Sequence, residues 1–137
     1  MNHIHSPRTD DNAVEQEIAA KGLTAPRITP ADIEGNIVSE HYFTAGEANR
    51  IVMSGPGRLP AGLSVDECSP KALDLLTFCV LVLRNGFTVT GESACASPEN
   101  FDAAVGIKIA RANAVNKVWP LMGYELRSAL SARRPTA

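Results

Sequence analysis

Aromatic residues are scarce in this 137-residue chain, with one Trp, two Tyr and four Phe, and cysteine is both scarce and odd in number. Cys68, Cys79 and Cys95 lack metal-type spacing, and with three scattered histidines they form no zinc pattern. An odd, sparse set of thiols argues against a disulfide scaffold and for a reducing compartment. Neither charge sign dominates: the net charge of −2 and a pI near 5.9 exclude a general binder of long nucleic acid or of anionic membranes. No apolar run reaches the roughly 18 residues of a membrane span, since the longest candidate is interrupted by Arg84 and Asn85. The first residues lack the apolar core of a signal peptide. There is no phosphate-binding P-loop and no glycine-rich dinucleotide fingerprint, so no cofactor is called for.

What is present gathers in Leu75 to Phe101, LLTFCVLVLRNGFTVTGESACASPENF. Leu75 to Leu83 is apolar apart from Thr77. Asn85-Gly86 suits a two-residue hairpin turn, whose central positions need positive φ. Phe87 to Thr90 favour a strand, and Ser97-Pro98-Glu99 reads as a helix start with a capping hydroxyl, a preset φ and an early acid. With Asn85 and Gly86 as the turn, Arg84 faces Phe87, Leu83 faces Thr88, Val82 faces Val89 and Leu81 faces Thr90. One face then carries Phe78, Val80, Val82, Phe87 and Val89; the other sets Cys79, Leu81 and Leu83 opposite Thr88, Thr90 and Glu92. The first strand is apolar on both faces, whereas a strand with one wet face alternates. Helices of the same chain account for one cover and a second copy is the simplest cover for the other. Burying a further ~150 Å² of apolar surface stabilises such a pair by about 4 kcal/mol before association costs. A homo-oligomer is expected.

Elsewhere the patterning is plainer. Met1 to Arg27 reads as a flexible arm, although Val14 and Ile18 would suit a short helix over Ala13 to Lys21. Thr29-Pro30-Ala31-Asp32 opens a short amphipathic helix with Ile33 and Ile37 on one side, ending near Glu40. His41 to Ala45 and Arg50 to Met53 are candidate strands. Ser54 to Pro70 holds Pro56, Pro60, Pro70, Gly55, Gly57 and Gly62, a density that forbids regular structure and predicts a long loop. A helix from Ser97 places Phe101, Val105, Ile109, Ala112 and Val115 on one face; Pro120 breaks it, and a second helix runs from Leu121 to about Ala132. The expected fold is α+β: a small antiparallel sheet built on the central hairpin, one short N-terminal helix and two C-terminal helices. It occupies residues 28–132 as one domain, with residues 133–137 as a frayed tail.

For catalysis the inventory is thin. Cys95 stands just before the expected helix start, a setting that suits a nucleophilic thiol, but nothing brings His41 beside it, and Glu92 with Glu99 is no glycosidase pair. The chain is read as a non-enzyme. Ligand binding has more to draw on. The connection Gly91 to Phe101 runs into a helix N-terminus, where free N–H groups attract anions. Glu92, Ser93, Ser97 and Asn100 supply polar groups there, Lys108, Arg111 and Lys117 follow on the helix, and Phe101 and Trp119 offer stacking surface. The set suits a phosphate-bearing ligand such as a nucleotide; it equally suits an ordinary capped helix with solvated cations.

Several motifs add to this. Asn85-Gly86-Phe87, Ser93-Ala94-Cys95-Ala96-Ser97-Pro98-Glu99-Asn100-Phe101, Lys117-Val118-Trp119 and Gly123-Tyr124-Glu125-Leu126 resemble recurring motifs of a widespread family of short tailed-phage proteins. Thr29-Pro30-Ala31-Asp32-Ile33 and Tyr42-Phe43-Thr44-Ala45-Gly46 fit it too, and the likeness spans Ile28 to Leu130. That family in turn resembles the Thoeris anti-defence sponge proteins, which bind cyclic ADP-ribose signals, some also cyclic oligonucleotides, without cleaving them. The resemblance implies dimers or hexamers with nucleotide pockets at subunit interfaces, acting in the cytoplasm of the infected bacterial host. The arm before Ile28 and the insertion at Ser54 to Pro70 depart from the shorter members. An alternative is a phage accessory protein that binds a host or phage protein through an exposed sheet face or the long loop.

Overall fold

The structure, a computed structural model, describes residues 11–133; the first ten residues of the expected arm and the last four of the expected tail lie outside them. The architecture is α+β. Helices α1 (Asp11–Ala20) and α2 (Pro30–Asn36) precede strand β1 (Ile37–Thr44), then come helix α3 (Ala45–Met53), strands β2 (Leu76–Leu83) and β3 (Thr88–Ala94), and helix α4 (Ala103–Arg133). The strands form an antiparallel meander with β2 in the centre.

Capping chemistry sets the early boundaries. Thr29 accepts from the Asp32 N–H while the Asp32 carboxylate accepts from the Thr29 N–H, a reciprocal box that starts α2. The helix stops at Asn36 rather than near Glu40: Ile37 has extended backbone and begins β1. Thr44 and Glu47 form a second box, so Arg50 to Met53, expected as a strand, is the end of helix α3. The Ser54 to Pro70 region is a long irregular connection apart from a single 3-10 turn at Asp66–Cys68.

The hairpin differs from expectation by one residue. Leu83 donates its N–H to the Phe87 carbonyl and Gly86 donates to Leu83, making a three-residue loop of Arg84, Asn85 and Gly86, with Gly86 at φ +86°. Val82 therefore pairs with Thr88, Leu81 with Val89 and Val80 with Thr90. A one-residue slip exchanges the faces of one strand. The inner face carries Cys79, Leu81 and Leu83 with Val89, Gly91 and Ser93; the outer face carries Phe78, Val80 and Val82 with Thr88, Thr90 and Glu92.

The inner face holds the core. Ile33 of α2 and Ala110, Ala114, Val115 and Val118 of α4 pack against Cys79, Leu81, Leu83 and Val89. Gly91 makes the approach of α4 possible: a Cβ there would run into the Ala110 carbonyl and the Ala114 backbone nitrogen. Ser97 does not begin this helix. Residues Pro98–Asn100 form a 3-10 turn, and α4 starts at Ala103 with the Asp102 carboxylate accepting from the Val105 N–H at 3.0 Å. Nor does Pro120 break it. One helix of 31 residues contains the proline and replaces the two expected C-terminal helices.

Candidate functional site

With the core settled on one face, the outer face of the sheet remains. Leu76, Phe78, Val80 and Val82 line its central strand and are only half-buried. Across β1, Phe43 pairs with Phe78, and their rings stack with centroids 5.6 Å apart. His41 and Ser39 on β1, and Thr88, Thr90 and Glu92 on β3, flank the apolar row. Phe43 is 36 % exposed and Val38, at the irregularity in β1 pairing, 64 %. The result is an apolar stripe with a nearly neutral border.

A cleft of about 190 Å³ opens at the Thr44 end of β1, between Tyr42, Phe43, Thr77, Phe101 and Ile107. Phe43 thus serves both the outer face and this cleft. Further clefts lie against α4. One of about 390 Å³ separates α1 from Ile28, Asn116 and Trp119; another of about 650 Å³ lies between α2 and the last turns of α4, beside Arg27 and Arg84.

The residues expected to bind a ligand do not converge on one place. Ser97 and Asn100 stand on the 3-10 turn, where Asn100 donates its N–H to the Ser97 carbonyl. The free helix N-terminus expected beside them is closed by Asp102, whose negative charge already occupies the positive end of α4. Ser93 is buried on the inner face opposite Thr77. Glu92 faces Lys117 at 3.8 Å, and its carbonyl accepts from the Asn113 side chain at 2.8 Å. Phe101 lines the cleft beside Phe43, and Lys108, next to the cleft-lining Ile107, is exposed. Trp119 lies in the cleft under α1.

Arg111 is committed elsewhere. Its guanidinium donates to both carboxylate oxygens of Glu34, at 3.1 and 2.6 Å, and to both of Glu40, at 2.8 and 3.1 Å. It joins α4 to α2 and β1 rather than facing a ligand. These bonds, with one from the Tyr42 hydroxyl, hold the Glu40 carboxyl below its usual range. Burial and the Glu40 partner push the Tyr42 phenol well above its own, and burial raises the Cys79 thiol.

Tyr42, Phe43, Thr44 and Glu47 were missed as cleft residues, although the first three lie in the motif Tyr42-Phe43-Thr44-Ala45-Gly46; only long-range pairing of β1 with β2 brings Phe43 to Phe78. Among the described residues no group of three or more His, Cys, Asp and Glu side chains is placed to hold a metal ion, and no helix is long and apolar enough to cross a membrane.

No curated protein and no solved structure shows significant similarity to the chain. A family model described as the phage protein (N4 Gp49/phage Sf6 gene 66) family matches residues 28–130, about three quarters of the sequence. That span takes in α2, the whole sheet and all but the last turn of α4, so the chain belongs to this phage protein family.

Proposed function

We propose that this phage protein works by binding rather than by catalysis: copies join through the outer sheet face and sequester a nucleotide-type immune signal, cyclic ADP-ribose or a cyclic oligonucleotide, at the seam without cleaving it. The observation that carries this reading is the double position of Phe43, stacked on Phe78 in the apolar face and lining the cleft with Tyr42 and Phe101. A second copy laid on the face extends the walls of that cleft, and aromatic walls suit a base. The motif resemblance to the Thoeris sponge proteins supplies the ligand class. Lys108, exposed one residue beyond Ile107, is the cation nearest the cleft along α4.

A thermal-shift panel of cyclic ADP-ribose isomers and cyclic di- and trinucleotides tests this. A ligand present at 100 times its dissociation constant adds about 2.7 kcal/mol of stability. The expected outcome is a clear shift for one signal class, lost in Phe43→Ala, with unchanged ligand recovered after denaturation. A second reading, a protein partner in place of the nucleotide, is favoured by Ile51 and Val52 of α3, which are 76 % and 50 % exposed. A flat panel from a well-folded protein that captures a phage or host protein would decide for it.

A further inference from the structure

Helix α1 stands away from the body. None of its ten residues is buried, and the face formed by Asp11, Val14, Glu15 and Ile18 looks across the 390 Å³ cleft at Ile28, Asn116 and Trp119. These four positions follow i, i+3, i+4 and i+7, one complete helix face. A helix with two aliphatic residues on that face ordinarily closes the gap by packing; here the space is kept. Its tether is specific. Both terminal nitrogens of Arg27 donate to the two carboxylate oxygens of Glu15, one at 2.7 Å, and the chain turns back between them at Gly22, with φ +67°. Trp119 stands on the opposite wall, and its indole N–H, covered from solvent, is among the described residues the one buried side-chain nitrogen or oxygen without a hydrogen-bond partner. A buried donor left unmet forfeits the hydrogen bond it would make to water.

We propose that α1 is a strap over a small-molecule site, and that the site takes a neutral, flat, largely apolar molecule bearing a hydrogen-bond acceptor. Val14, Ile18 and Ile28 provide the apolar walls, and the indole N–H takes the acceptor once the strap has shifted to admit it. Asn116 offers a second polar contact. Asp11 and Glu15 set two carboxylates at the rim against the single charge of Arg27, which disfavours a phosphate. This occupant differs in charge from the one assigned to the Phe43 cleft.

Trp119 is the only tryptophan in the chain, so its fluorescence reports on the strap directly. In the full chain, Arg27→Ala is expected to red-shift the emission and raise acrylamide quenching about threefold. Titration with Nile red, neutral, flat and carbonyl-bearing, is expected to quench Trp119 saturably. Ile18→Asp should weaken that binding at least fivefold with an unchanged unfolding midpoint, because Ile18 lies outside the core, whereas Val80→Lys on the outer face leaves it intact. Unaltered Trp119 emission and quenching in Arg27→Ala would overturn the strap. Absence of saturable quenching, or its loss in Val80→Lys rather than Ile18→Asp, would overturn the site.

Discussion

At the scale of single residues, two positions carry more of the structure than their size suggests. Gly91 lets α4 lie directly on β3, with Ala110 and Ala114, both fully buried, as the facing surface. Since the atoms a side chain would meet are backbone, relief requires the helix to move. Gly91→Val is therefore expected to destabilise the fold by about 3 kcal/mol, measured by chemical denaturation, while Gly35→Ala, with open space around it, changes stability far less. Arg111 is the second. Its bonds hold the Glu40 carboxyl below its ordinary value of 4.5, so the associated stability is present above that pH and lost as the pH falls through the depressed folded value. Arg111→Leu should cost about 1 kcal/mol at neutral pH, because the partners are partly solvated. It should also flatten the acid limb of the stability curve below about pH 4.5. The sequence displays Arg111 as a helix cation and nothing more; its two acid partners lie 71 and 77 residues away.

At the scale of elements, local chemistry was legible where it is self-contained. The Thr29 start of α2, the β2–turn–β3 order and the irregular Ser54 to Pro70 stretch can be read from neighbouring residues alone. The misreadings share a cause, competition between two plausible local signals. Asn85-Gly86 fits a two-residue turn, yet a three-residue loop puts Val89 beside Leu81 on the core side, and burial decided the register. Ser97-Pro98 has the composition of a helix start but yields one 3-10 turn, and Asp102, five residues on, is the cap. Arg50 to Met53, with the β-branched pair Ile51 and Val52, has the composition of a strand, but the Thr44–Glu47 capping box starts a helix that runs through it. Pro120 was given a break that packing overrides, because Val115 and Val118 before it are anchored in the core. The missing N–H of Pro120 still deprives the Asn116 carbonyl of its helical donor. Pro120→Ala should thus raise the thermal midpoint, by an amount equivalent to about 1 kcal/mol or more; a fall would mean the proline serves a contact that the monomer does not contain.

At the scale of the whole molecule, the two-sided apolar character of β2 was the most informative feature of the sequence, and it holds after the register correction. Leu81 and Leu83 enter the core while Phe78, Val80 and Val82 remain on the outer face. The candidate site was much less legible, because ligand residues were gathered along one stretch of sequence whereas the Phe43 cleft is assembled mainly from β1, β2 and α4. Phe101 is the predicted residue that stands in the Phe43 cleft; Trp119 belongs to a separate one. The most direct test of the central claim is sedimentation velocity of the full chain beside Val80→Lys, which places a charge in the middle of the outer row without touching the core. Wild type is expected to sediment as a dimer or larger assembly, and the variant as a folded monomer. A wild type that stays monomeric at tens of micromolar, or a variant that associates as wild type does, would contradict the assignment of this face as the surface through which the protein acts.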